Sequence, residues 1–320
     1  MRRAGGRRGP RAPGMGGYSE GLEGRPPPVV EAAERAVLAA GALVRARVGA
    51  AEVVATKKTA RDLVTAVDGE VQAAIRSALL GQYPAHAFLG EEGFEAGALE
   101  EALGSGAEHC WILDPLDGTT NFVHGLELSG VSLGLSFRGE MAAGIVFDPF
   151  RDELFTAWKG GGAYVTRGSG DAGARRRLSV DSAASAAEAV VYTGYAATDE
   201  AVGPFLRGIG GLSRNVRAVR MLGSAALMFA WVAAGRGSAY VEVDLSPWDI
   251  CAGALLVREA GGTVTGLDGS PYELTTRAVA ASNGKVHGAL LDLMAGADAV
   301  GLDGAAEQGE DWTAGLRNFE

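Results

Sequence analysis

The chain has 320 residues, 47% of them hydrophobic, and a formal net charge of −10. That length is comfortable for two domains with a core in each, and no uninterrupted apolar run approaches the roughly 18 residues that a membrane span needs. The first 28 residues hold six Arg and two Glu, so 29 basic against 39 acidic residues become 23 against 37 in the remainder, and a body at −14 argues against nonspecific nucleic-acid binding while suiting a protein that recruits cations.

Residues 1–28 are rich in Gly, Pro and Arg, with no apolar signal core and no helical period, which predicts a disordered basic tail. A translation start at Met15 is an alternative reading of the same stretch. From Val29 to Val48 the apolar residues Val30, Ala33, Val37, Ala40, Val44 and Val48 recur every three or four positions and predict a packing helix. A short segment with Lys57 and Lys58 leads to a second helix, marked by Val71, Ile75 and Leu79 and ended by Gly81 and Pro84. Asp68 opens that helix, either as an ordinary helix-start carboxylate favoured by the dipole or as a catalytic group. In AFLGEEGF, Glu91 and Glu92 follow a short apolar run. Neighbouring side chains on an extended backbone point opposite ways, so one ligand, Glu91, and one bystander are expected. Residues 94–108 read as a loop with a surface helix.

The run WILDPLDGTTNFVH, residues 111–124, carries the densest chemistry. Trp111 to Leu113 read as the buried end of a strand, and Asp114 and Asp117 leave it around Pro115, which restrains Asp114 to an extended backbone. Gly118, Thr119 and Thr120 suit a first helical turn, whose free N–H groups favour an anion. The string also reads as a solvated turn. Carboxylates beside a phosphate cradle are nevertheless the arrangement for magnesium-assisted phosphoryl chemistry.

Farther on, GVSLGLSF and MAAGIVFDPF predict a hairpin about Arg138-Gly139-Glu140, and ELFTAWKGGGAYV a second about glycines 160–162. The Lys-Gly-Gly-Gly string lacks the spacing of a phosphate loop. Residues 167–177 mark a candidate domain boundary. LSV, AVVYTGY, VRAVRM and SAYVEV read as strands, Ala201–Gly210 and SAALMFAWVAAG as helices, and their alternation predicts a layered α/β domain. In DLSPWDICAGALLVREAGG, Asp249 is placed at the first helical position, as a plain cap or as a ligand. TVTGLDG and AVAASN close the sheet, a helix spans Val286 to Met294, and a loose tail follows from Ala295. Cys110 and Cys251, each in apolar surroundings beside a tryptophan, read as reduced core thiols of a cytoplasmic protein.

Four signatures in order, DLVTAVD ending at Asp68, GEEG at 90–93, WILDPLDGTTNFVH at 111–124 and PWDICAGALLVREAGG at 247–262, resemble the inositol monophosphatase family of magnesium-dependent, lithium-sensitive sugar phosphatases. Gly93 departs from the small polar residue that many members carry there. The resemblance covers residues 29–298 and implies a layered αβαβα sandwich, with an N-terminal α+β part at 29–168, a C-terminal α/β part at 169–298 and a loose tail at 299–320. It implies two or three magnesium ions. Glu91, Asp114 and the Leu116 carbonyl would hold the first, and Asp114, Asp117 and Asp249 the second, with Asp114 shared by ions roughly 3.5–4 Å apart. Thr119 paired with Asp68 would orient and deprotonate the attacking water, and the amides of Gly118 and Thr119 would hold the phosphate. Glu91, Leu116, Asp117 and Asp249 also line the implied substrate site, where Gly223, Ser224, Ala225 and Glu242 would contact the sugar ring. A strand-edge acid and the cap of a core helix remain the plainer readings of Glu242 and of residues 223–225. The partner implied is a small phosphorylated polyol or sugar, inositol monophosphate first, with histidinol phosphate, fructose 1,6-bisphosphate and 3′-phosphoadenosine 5′-phosphate as alternatives. Homodimers are common in the family. A non-catalytic binding protein using the same fold is the alternative of another class.

Overall fold

The computed structural model describes residues 24–50, 53–56, 63–94, 97–104, 106–168, 175–195 and 199–295. The expectations for residues 1–23, for Lys57 and Lys58, and for the chain from 296 onward lie outside the described residues. Helix α1 (Pro28–Arg47) starts on proline, which suits a first turn whose N–H groups lack partners anyway. Its expected face is buried at Val30, Ala33, Val37, Ala40 and Val44, while Val48 falls just past the end of the helix and is half-buried. After a two-stranded ladder of β1 (Val53–Thr56) and β2 (Leu63–Thr65), helix α2 (Ala66–Gln82) buries Val71, Ile75 and Leu79 as its spacing predicts.

Both helices pack on one face of a seven-stranded sheet in the order β3 (Ala87–Gly90), β4 (His109–Asp117), β5 (Gly130–Phe137), β6 (Glu140–Asp148), β7 (Glu153–Trp158), β8 (Gly162–Arg167), β9 (Arg175–Arg177). Strand β3 runs parallel to β4 and every later neighbour is antiparallel, so the sheet is built mostly from hairpins. The β5–β6 turn is the one expected, with Arg138 and Gly139 both at positive φ, 52° and 81°. Helix α3 (Ala98–Gly104) lies beside β3.

The opposite face is covered by α6 (Ala225–Ala233) and α7 (Pro247–Glu259). A second sheet lies beyond them, in the order β11 (Ala218–Met221), β10 (Val190–Thr193), β12 (Ala239–Glu242), β14 (Val279–Ser282), β13 (Thr263–Gly266). Its outer face carries α5 (Asp199–Asn215) and α8 (His287–Ala295). The layers are therefore helix, sheet, helix, sheet, helix, as expected. All nine residues of α6 are buried, which explains why its sequence is apolar on every side and not on one stripe.

Two expectations need correction. Leu178–Val180 is not a strand: the ladder ends at Arg177, and the Leu178 and Val180 amides bond singly to the carbonyls of Ala163 and Ala260 as the chain crosses toward the end of α7. Helix α5 does not stop at Gly210. It runs to Asn215 because Phe205 and Leu212, two turns apart, are buried on one face and outweigh the glycines. Cys110 and Cys251 are buried and free. Among the described residues no helix is long and apolar enough to cross a membrane.

Candidate active site

The site forms where β4 runs out of regular pairing. Its register with β5 shifts between Asp114 and Asp117, and the Leu116 amide donates to Asp114 Oδ1 at 2.9 Å, so both acids are fixed as the strand ends. Gly118 follows at φ 88°, and a Cβ there would lie 2.9 Å from the carbonyl oxygens of Gly223 and Leu128, so only glycine fits. It caps the short helix α4 (Thr119–Val123). Asn121 on α4 donates to the carbonyls of Leu128 at 2.8 Å and Leu222 at 2.7 Å, fastening the 222–224 turn beside the acids. Ser224 then caps α6, and its hydroxyl donates to Asp117 Oδ2 at 2.5 Å while the Ala226 amide donates to the same oxygen at 2.7 Å. The plainer reading of residues 223–225, the cap of a core helix, is the one observed, and that cap also holds Asp117.

Asp249 arrives from the middle layer, on α7. It sits at the third helical position of α7 and not the first, which Pro247 occupies. Ser246 is the cap, and its amide donates to Asp249 Oδ2 at 2.6 Å. One carboxylate oxygen from each of Asp114, Asp117 and Asp249 lies within 4.8 Å of the others. Glu91, in the turn after β3, has its amide bonded to the Leu113 carbonyl at 3.0 Å, and its carboxyl hydrogen-bonds with Asp114. The four acids expected to meet are therefore gathered in one place.

Burial pushes the Asp114 carboxyl well above the usual carboxylate range, and the charges of Glu91, Asp117 and Asp249 push it further. Asp249 is raised by burial and then by Glu91 and Asp117. Asp117 reaches only about 6, because Ser224 and the amides of Ala226, Ala225 and Gly118 offset its burial. Buried, mutually repelling carboxylates with all-oxygen donors fit a hard divalent cation, which removes the repulsion that raises these values.

Asp68 is the helix-start carboxylate expected, and its second oxygen is turned toward Thr119. Its Oδ2 accepts from the Thr65 amide at 2.9 Å and the Thr65 hydroxyl at 2.5 Å, completing a capping box at the head of α2. Its Oδ1 faces the Thr119 hydroxyl at 3.4 Å, and that hydroxyl also lies 3.0 Å from the Leu116 carbonyl.

Glu242 ends β12, the central strand of its sheet, so it is not a strand-edge acid. The Tyr240 hydroxyl donates to its Oε2, and a Cβ on Gly194 would fall 1.9 Å from its Oε1, so glycine leaves the space the carboxyl fills. Burial raises Glu242 from 4.5 to about 8. A carboxyl raised by folding contributes stability that is complete below about 4.5 and is lost as pH climbs through about 8. In metal-free protein, Glu242→Gln should flatten the fall in melting temperature across that window; a slope equal to wild type would contradict the assignment.

Four residues that shape the site were not singled out from the sequence: Thr65, Gln72, Asn121 and Tyr240. Thr65 was readable from the T-x-x-D capping pattern, as was Ser246 from S-x-x-D. Tyr240 lies two residues before Glu242, on the same strand face. Asn121 had no local signal.

A family model described as inositol monophosphatase family matches residues 26–297. The chain is 39% identical over 268 residues to the Nus factor SuhB of Pseudomonas aeruginosa, covering 82% of this chain and 94% of that one. It is 37% identical over 271 residues to the inositol-1-monophosphatase of Synechocystis, covering 83% and 88%. The solved extragenic suppressor protein suhB of Bartonella henselae superposes with a TM-score of 0.74 at 33% identity, over 83% of this chain and 98% of the other. Likeness at that level, over nearly the whole length of each relative and across every segment that supplies an acid to the cluster, places the chain in the inositol monophosphatase family.

Proposed function

We propose that the protein is a magnesium-dependent phosphomonoesterase acting on a small polyol or sugar phosphate, with inositol monophosphate as the first substrate. The observation that supports it most is the convergence of Asp114, Asp117 and Asp249 oxygens within 4.8 Å, beside a hydroxyl–carboxylate pair. Glu91, Asp114, Asp117, Asp249 and the Leu116 carbonyl would hold the metal. Magnesium, when bound, supplies positive charge against the phosphate dianion and acidifies water. Thr119 orients the attacking water, and Asp68 takes its proton through the Thr119 hydroxyl. The Gly118 and Thr119 amides hold phosphate oxygens, and Glu242 accepts hydrogen bonds from substrate hydroxyls. The water attacks phosphorus in line, with no covalent phosphoprotein, so configuration at phosphorus inverts.

The test is phosphate release, with magnesium or with chelator, from inositol monophosphate, histidinol phosphate, fructose 1,6-bisphosphate and 3′-phosphoadenosine 5′-phosphate. Magnesium-dependent release, greatest on inositol monophosphate, is expected. Release equal with chelator, or none from any substrate, would refute the proposal. The name Nus factor carried by a 39%-identical relative favours a second reading, a binding role for the same fold. Absence of turnover in a folded protein that still binds magnesium would favour it.

A further inference from the structure

The turn that carries Glu91 is held from two sides. Strand β4 holds the Glu91 amide through the Leu113 carbonyl at 3.0 Å. From α2, the Gln72 side chain holds the next residue twice: Nε2 donates to the Glu92 carbonyl at 2.7 Å, and Oε1 accepts from the Glu92 amide at 3.1 Å. A primary amide meets a backbone N–H and C=O in one orientation only, so this pairing fixes which way Gln72 points. Gly90 completes the fit, because a Cβ there would lie 2.0 Å from Gln72 Oε1.

Gln72 stands one helical turn after Asp68, so both lie on one face of α2. That face meets Thr119 through Asp68 and the 90–92 turn through Gln72. Glu92, expected as a bystander, contributes its main chain: it is the handle by which α2 holds its neighbour.

We infer that Gln72 is a positioning residue that sets Glu91 for metal binding, by clamping the Glu92 peptide across the notch left by Gly90. The inference rests on the reading of Glu91 as a metal ligand. Through α2 it couples the ligand turn to the pair assigned to water activation, so the two halves of the site share one support. Groups that orient ligands from outside the coordination sphere commonly govern metal affinity by about 10–100-fold.

The experiment is calorimetric magnesium titration of the full chain, wild type beside Gln72→Ala, Gly90→Ala and the double variant, with metal-free melting recorded for each. Gln72→Ala is expected to weaken magnesium binding by about tenfold or more, with turnover recovering at high magnesium. Gly90→Ala displaces the intact glutamine and should show the same loss. The double variant should bind no more weakly than Gln72→Ala alone, since the new methyl then enters the vacated space. Wild-type affinity in both single variants, even with lowered melting, would reduce Gln72 to a structural role and overturn the inference, as would full additivity of the two losses. Failure of the wild type itself to bind magnesium would instead remove the reading of Glu91 on which the inference stands.

Discussion

Asp114→Asn should abolish magnesium-dependent phosphate release while the fold survives. The substituted amide keeps an oxygen for the Leu116 N–H that now bonds Asp114 Oδ1 at 2.9 Å, so the end of β4 retains its local support. What disappears is the carboxyl that can give up its proton to a cation beside Glu91, Asp117 and Asp249 together. Magnesium affinity should fall by more than the roughly 100-fold that loss of an outer supporting partner costs. Without metal the variant should melt higher than wild type, because a buried carboxyl repelled by three others has been replaced by a neutral group. Calorimetry, phosphate release and metal-free melting check the three parts. Turnover near wild type would break the metal-site assignment.

Thr119→Val is expected to separate catalysis from metal binding. The Thr119 hydroxyl lies 3.4 Å from Asp68 and 3.0 Å from the Leu116 carbonyl, and valine keeps its shape without the proton-carrying oxygen. Positioned acid–base groups contribute about 10²–10⁴-fold, and such contacts run long before substrate tightens them. Turnover should fall by about that factor with magnesium affinity unchanged, and Thr119→Ser should retain most activity. A loss of less than about tenfold, or an equal loss of magnesium affinity, would remove Thr119 from the proton path.

The helical faces of α1 and α2 were legible because burial on one side leaves a three-to-four spacing in the sequence, and the Asp114–Asp117 run was legible because its chemistry is contiguous. Edge pairing was not. Three consecutive arginines form β9, one turned inward to Glu34 at 2.7 Å, and nothing in Arg175–Arg177 alternates in polarity. Asp249 lies two positions deeper in its helix than the sequence reading places it, because Ser246 is the cap and Pro247 the first helical residue. Glu242 was readable as an acid near the site, but its place at the centre of a sheet depends on strand order, which no local pattern encodes. Gln72 and Asn121 matter through partners 20 and 101 residues away, and such contacts exist only once the layers have closed.

The helices of the middle layer, α6 and α7, are sealed between two sheets, and one grips Asp117 while the other carries Asp249. Helices α5 and α8, on the outside, supply none of the residues named for chemistry. The outer face made by α5 and α8, unlike the one made by α2 with its Asp68, can therefore change without touching a residue named for chemistry. That separation is compatible with a family in which one relative is named inositol-1-monophosphatase and another Nus factor SuhB.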